Sequence, residues 1–187
     1  TGAYVPFKFN PVQAKYYQTL LNDYGSDFWL NASVRELIVK ARKEGFSSLI
    51  EAIWLHACMF TKNARAVTMS HEIESTIRHF ERVRYFLDNI GLRDMNFTWD
   101  MDKESQRQLS FKDTGSVYWI GTAGAKAFGR GDDITHFHGS EVAHYQNQGI
   151  LTGVLEACVP TAWRVLESTA NGQGDMFHRL WKEATAQ

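Results

Sequence analysis

Residues 40–48 read KARKEGFSS, between the apolar run ELIV and the helical-looking run LIEAIWLHACMF. A strand, a short basic turn with one glycine and then a helix is the layout that holds a phosphate chain. Backbone N–H groups and a helix N-terminus face the anion, a lysine neutralises it, and a hydroxyl meets the metal. The usual G-x-x-x-x-G-K-[ST] pattern fails here twice: Lys40 replaces its first glycine and Phe46 replaces its lysine. Gly45 still permits an unusual backbone angle and close approach. Ser47, followed by Ser48, falls where the hydroxyl for Mg²⁺ belongs. Lys40, at the strand end, is long enough to fold over the loop, and Arg42 and Lys43 add charge. The competing reading is a solvated basic turn capped by Ser47.

Further along, ITHFHGSEVAHY ends an apolar-leaning strand in Ser140 and Glu141. A carboxylate at a strand end can orient a water for attack on a γ-phosphate. Ser140 stands where an aspartate usually holds Mg²⁺ through water. His136 and His138 alternate onto one strand face with His144 nearby, so a His/His/Glu metal site competes, although no H-E-x-x-H pattern is present. ESTANGQGDMF again follows a strand. Ser168, Thr169 and Asn171 offer small groups able to sense a γ-phosphate; otherwise this is a turn. Gln13 presents a donor and an acceptor that could pair with adenine, with Phe7 and Phe9 near enough to stack. Arg130, on the glycine-rich stretch GAKAFGRGDD, could reach a γ-phosphate from a neighbouring subunit.

The elements that must position these groups follow from periodicity. Helices are expected from Val12 to Tyr24, from Ser47 to Phe60, over HEIESTIRHFERVRYFLDNI up to Gly91, over YQNQGILTGVLEACV and over GDMFHRLWKEAT. Strands are expected at ELIVKA, ARAVTMS, MNFTWD, RQLSF, SVYWIGT, ITHFHG and TAWRVLEST, with RQLSF and SVYWIGT joined through KDTG as a hairpin. Strands alternating with helices imply a mostly parallel sheet covered on both faces. Ligands in such sheets bind beyond the carboxyl ends of the strands, which is where the candidate groups after the strands lie.

The chain has 187 residues, 44% hydrophobic and 22% charged, with a net charge of -1. That is one domain of ordinary composition, and it argues against a permanently nucleic-acid-coated protein while leaving room for a local basic face. The two cysteines, Cys58 and Cys158, lie in apolar segments and read as buried thiols in a reducing compartment. No secretory signal or membrane-spanning run is evident, so a cytosolic protein is expected; beginning at TGAY without a methionine and stopping just after a helix-like segment, it is expected to be a fragment of a longer chain.

Taken in order, Gln13, KARKEGFSS, SEVAHY and STANG followed by FHRLWKEA resemble the ATPase domain of the large terminase subunits of tailed phages, over about Phe7 to Glu183. The resemblance implies an α/β P-loop NTPase of the ASCE (RecA-like) type, a mostly parallel central sheet flanked by helices. It implies ATP and Mg²⁺ as cofactors and hydrolysis that drives double-stranded DNA into a procapsid. By resemblance, Lys40, Arg42, Lys43, Gly45, Phe46, Ser47 and Ser48 form the phosphate loop, with the lysine at its start, and Gln13 reads adenine. Glu141 is the catalytic glutamate and Arg130 acts across the subunit interface. Ser168, Thr169 and Asn171 couple hydrolysis to movement, and Ser47 and Ser140 face Mg²⁺. The implied partners are double-stranded DNA, the portal protein, the small terminase subunit and further copies in a ring, in the host cytoplasm. The whole chain is expected to be one motor domain, the N-terminal part of a longer protein, without the nuclease domain of the family. Another helicase-like translocase, and a metal enzyme using His136, His138 and Glu141, are the alternatives.

Overall fold

The computed structural model describes residues 7–26, 28, 33–90, 99–100, 107–123 and 133–186. Its centre is a seven-stranded sheet: β1 (Arg35–Val39), β2 (Arg65–Ser70), β3 (Trp99–Asp100), β4 (Gln108–Phe111), β5 (Ser116–Thr122), β6 (Ile134–Ser140) and β7 (Cys158–Ser168), in the spatial order β1-β7-β6-β2-β5-β4-β3. The pairs β1·β7, β7·β6, β6·β2 and β2·β5 are parallel; β5·β4 and β4·β3 are antiparallel. The mostly parallel α/β fold expected from alternation is therefore present, with the 112–115 turn making the β4–β5 hairpin. The chain leaves β1, crosses two strand positions and enters β2. β7 later fills the place beside β1, so the last strand of the sheet sits between the loop strand and the Glu141 strand.

The helices are α1 (Pro11–Tyr24), α2 (Phe46–Phe60), α3 (Ile73–Asn89), α4 (Gln148–Glu156) and α5 (Met176–Thr185). α1 begins with a capping box: the Asn10 side chain accepts from Gln13 N, and Gln13 Oε1 accepts from Asn10 N. Pro11 at the first position needs no N–H partner there. α2 is apolar on most sides and is accordingly the most buried helix, with Trp54 inaccessible and Leu49, Ile50, Ile53 and Leu55 beside it. α3 carries a narrower apolar stripe through Phe80, Val83 and Leu87.

Two cores result. α1, α2 and α3 cover one sheet face through Leu20, Trp54, Phe80, Tyr118 and Trp163; α4 and α5 cover the other through Leu151, Val154, Phe137, Leu166 and Phe177. Strand alternation decides which groups share a face. His136, His138 and Ser140 of β6 lie with Trp163, Val165 and Glu167 of β7 on the α2 side. Among these apolar surroundings is a buried polar cluster: Glu51 of α2 meets His79 and Arg82 of α3, with Arg82 Nη1 at 2.9 Å from Oε2. It joins α2 to α3 within the apolar core they share.

Some boundaries move. The helical pattern through LEACV ends at Glu156, and Cys158 already opens β7, because Ile134 N–H takes the Ala157 carbonyl and starts the ladder there. Cys158 is thus a strand residue, not a helical one. Both thiols are free and buried, and burial pushes that of Cys158 up to about 11. Of MNFTWD only Trp99–Asp100 is described as strand, and Gly91 lies outside the described residues. No described helix is long and apolar enough to cross a membrane.

Candidate active site at the strand ends

The carboxyl ends of β1, β7 and β6 lie side by side, and each supplies part of one cluster. β1 ends into Lys40, whose N–H donates to Ser168 O at the end of β7. The Lys40 side chain is nearly buried, and its Nζ lies 2.9 Å from Glu141 Oε1 and 2.9 Å from Glu167 Oε2. One ammonium is thereby shared by two carboxylates, one from each neighbouring strand end.

Glu167 has no exposed surface. Its Oε1 accepts from Ser47 Oγ at 2.7 Å and Ser140 Oγ at 2.7 Å. The register places Ser140 directly beside Glu167, so the second bond is a cross-strand pair. His138 Nε2 lies 3.3 Å from the same oxygen, and its Nδ1 is 3.4 Å from Thr68 Oγ1, which in turn meets Tyr118 Oη at 2.8 Å. Burial, reinforced by His79 and Lys40, holds His138 well below the usual histidine range, so the ring is neutral. An ionised carboxylate only accepts, which assigns the proton to Nε2. Glu167 Oε2 faces the lysine without an aligned hydrogen bond, and no donor satisfies it.

Glu141 sits just past β6 in the left-handed backbone region, with φ 55 and ψ 46, a conformation that costs a side-chain-bearing residue roughly 1–2 kcal/mol. Such backbone persists where surrounding contacts over-determine it. Here Thr169 N and Thr169 Oγ1 both donate to Glu141 Oε2, at 3.1 and 3.0 Å. Ser168 Oγ accepts from Ala143 N, and Asn171 Nδ2 donates to Ala143 O. STANG therefore grips the turn carrying Glu141 at four points. Burial is the largest influence on this carboxyl and raises it. The Lys40 and Thr169 hydrogen bonds together outweigh burial and hold it below the usual range. Glu141 is ionised at neutral pH.

The loop between β1 and α2 completes the site. Gly45, with φ 77, caps α2, so its backbone conformation favours glycine, and a Cβ there would lie 2.7 Å from Gln13 Nε2 and push that amide aside. The first-turn N–H groups of α2, at Phe46, Ser47 and Ser48, head the helix without intrahelical acceptors. The Phe46 ring itself packs inward against Tyr16, at 5.3 Å between centroids. A cavity of about 410 Å³ opens above, lined by Lys40, Arg42, Lys43, Arg78, Glu141 and Thr169, with His71, Ser75 and His144. Four fixed cations face one carboxylate there, which suits a polyanion.

Of the expected site, Lys40, Arg42, Lys43, Glu141 and Thr169 meet at this cavity, and Gly45, Ser47, Ser140, Ser168 and Asn171 support it. Gln13 is adjacent but its amide is engaged: Nε2 donates to Gly45 O at 2.8 Å and Oε1 accepts from Asn10 N. Pairing with adenine requires it to turn outward. Arg130 lies outside the described residues. The His136, His138 and Glu141 metal set is not brought together. His136 stacks near Trp54 and Trp163, His138 bonds Glu167, and no described trio of His, Cys, Asp or Glu forms a metal-holding group. Sequence reasoning missed Glu167, although WRVLEST carried the signal: Trp163, Val165 and Glu167 share the parity of a buried face. It also missed His71, Ser75 and Arg78, which reach the cavity from the corner between β2 and α3.

For Mg²⁺, the donor set fits. Ser47 Oγ and Ser140 Oγ converge on one carboxylate whose second oxygen faces the Lys40 ammonium outside hydrogen-bond alignment, an oxygen-rich corner of the kind this hard cation takes.

Neither family models nor curated proteins match the sequence. Solved structures do. The large terminase of bacteriophage HK97 superposes with a TM-score of 0.77 at 16% identity, covering 97% of this chain and 37% of that one. The ATPase domain of the Thermus phage P74-26 large terminase gives a TM-score of 0.59 at 14% identity, over 71% of this chain and 58% of that one. A large terminase from a thermophilic bacteriophage in complex with ATP-gamma-S gives 0.59 at 12% identity, over 86% and 38%. The chain thus has the fold of phage large terminase ATPase domains and spans between a third and three fifths of the length of these structures.

Proposed function

We propose that this chain binds ATP with Mg²⁺, hydrolyses it, and works as the ATPase domain of a terminase motor that moves double-stranded DNA into a procapsid. The observation that carries the reading is the meeting of Lys40, Glu141 and Thr169 at one cationic cavity, each at the end of a different parallel strand, with Ser47 at the start of α2 tied to the same cluster through Glu167. That structures of this fold are found with ATP-gamma-S and with ADP supports it.

The residues act as follows. The α2 N-terminus and Lys40 hold the β- and γ-phosphates, with Lys40 exchanging carboxylate contact for phosphate oxygen. Arg42 and Lys43 raise the local anion concentration. Ser47 and Ser140 would present oxygens to Mg²⁺, which would neutralise charge developing on the phosphates. Glu141, ionised and braced by Thr169, accepts a hydrogen bond from the attacking water and aligns it with the γ-phosphorus. When the γ-phosphate leaves, Lys40 returns to Glu141, and Ser168, Thr169 and Asn171 carry that change into β7 and the turn at Ala143. Arg130 of a neighbouring copy completes the site in a ring. The portal protein, the small terminase subunit and DNA complete the assembly, in the host cytoplasm.

Titration of fluorescent ATP with and without Mg²⁺, followed by phosphate release, tests this. Wild type is expected to bind and turn over, and Glu141→Gln to bind without turnover. A wild-type protein that binds no nucleotide sinks the reading.

A further inference from the structure

The phosphate-facing corner contains one group that neither the loop pattern nor the STANG motif accounts for. Glu167 is completely buried, at the end of a strand whose same-face neighbours are Trp163 and Val165. Placing an ionised carboxylate there is costly unless charges and donors compensate it. Lys40 supplies the charge, and two hydroxyls from two other elements supply the donors. Those hydroxyls are Ser47, at the head of α2, and Ser140, the residue standing where a carboxylate is missing. A hydroxyl that donates its proton to a carboxylate keeps its oxygen lone pairs for a cation. The missing negative charge has an equivalent one strand over: Ser140 and Glu167 are register partners, 2.7 Å apart through Oγ and Oε1.

We propose that Glu167 is the anionic anchor of the Mg²⁺ site: it sets the Ser47 and Ser140 hydroxyls with their oxygens toward the ion and supplies the charge that Ser140 cannot. This rests on the ATP·Mg²⁺ reading above. It makes Glu167 a positioning residue, distinct from Glu141, which meets water. It also gives Lys40 a second use. The ammonium compensates Glu167, and a cation held by Ser47 and Ser140 would share that compensation and let the lysine turn to the phosphates.

The test is binding, not turnover. Fluorescent ATP is titrated in EDTA and then at rising Mg²⁺, using wild type, Glu167→Gln and the double variant Ser140→Asp/Glu167→Gln. In EDTA, Glu167→Gln should bind ATP as tightly as wild type or up to about tenfold more tightly, because an anion has been removed beside the phosphates. Its Mg²⁺ concentration for half-maximal effect should rise about tenfold or more, and the double variant should return it to within about threefold of wild type. An unchanged Mg²⁺ half-saturation in Glu167→Gln makes Glu167 a mere counter-ion and overturns the assignment, while leaving the ATP reading intact. Wild type that binds no ATP in either condition overturns both. Should Glu167→Gln fail to fold in a thermal melt, Glu167→Asp, which keeps the charge but draws it back by one methylene, is read the same way, and an unmoved half-saturation again refutes the role.

Discussion

Lys40 sits between two carboxylates, and its removal should reveal how strongly the strand-end cluster depends on that arrangement. Nζ is 2.9 Å from each carboxylate, Glu167 is wholly buried, and the lysine side chain is 8% exposed. Lys40→Met keeps the aliphatic bulk and deletes the charge. Breaking a buried pair from one side typically costs about 3–5 kcal/mol, because the remaining charge is uncompensated. For a chain of this size each kcal/mol moves the melting temperature by roughly 2–4 °C, so about 4 kcal/mol predicts a fall of roughly 8–16 °C. Glu167→Gln should cost less, about 1–2 kcal/mol, since Lys40 keeps Glu141 and the glutamine carbonyl can still accept from Ser47 and Ser140. The combined variant leaves no unpaired charge at position 167, so its loss should fall short of the sum of the two by about 2 kcal/mol. Urea unfolding without nucleotide, at constant m-value, measures all four corners of this cycle. Additivity within about 0.5 kcal/mol would show that the two groups are not coupled and refute the reasoning.

Other outcomes follow from neighbouring contacts. Thr169→Val deletes one of the donors that keep Glu141 ionised, so its carboxyl rises. As pH falls, turnover should begin to fail at a higher pH than in wild type, whereas Thr169→Ser should not move the acid limb. Burial pushes His136 down to about 4, so the unfolded chain takes up its proton first and stability declines as pH drops below about 6.5. That contribution is about 2 kcal/mol between pH 7 and 5, and urea melts of His136→Gln should lack it. Glu51→Ala should cost about 3–5 kcal/mol, because Arg82 and His79 lose the carboxylate that joins α3 to α2; a melt within 2 °C of wild type would show the cluster to be dispensable.

Local signals were enough where the chemistry is local. ELIV followed by a basic turn and an apolar helix placed the loop at the end of β1, and SEVA and STANG placed Glu141 and Thr169 at the ends of β6 and β7. What the residue order does not carry is which strand ends are adjacent. β7, last in the chain, inserts between β1 and β6, and only that insertion brings Glu167 to Lys40 and Ser140. His71 and Arg78 were hidden for the same reason, since a helix start read from its glutamates gives no sign that the corner faces the loop across the sheet. The histidine pair in ITHFHG invited a metal, yet the strand sends His136 to two tryptophans and His138 to Glu167. The end of α4 moved because the Ala157 carbonyl serves the ladder rather than a further helical turn.

The short bond from Gln13 Nε2 to the Gly45 carbonyl, with Asn10 Nδ2 on the Glu44 carbonyl at 2.9 Å, latches the first helix onto the phosphate loop. If the amide of Gln13 is to read a purine edge, the latch on Gly45 must open first. Base recognition and loop order are then two sides of one equilibrium, and by reciprocity each changes the other by the same factor. ATP should loosen the loop where tripolyphosphate leaves it fastened, and Gln13→Ala should erase that difference in hydrogen exchange at Gly45 and Phe46. Equal protection by the two ligands in wild type would show that the latch stays shut, and that adenine is held by something else.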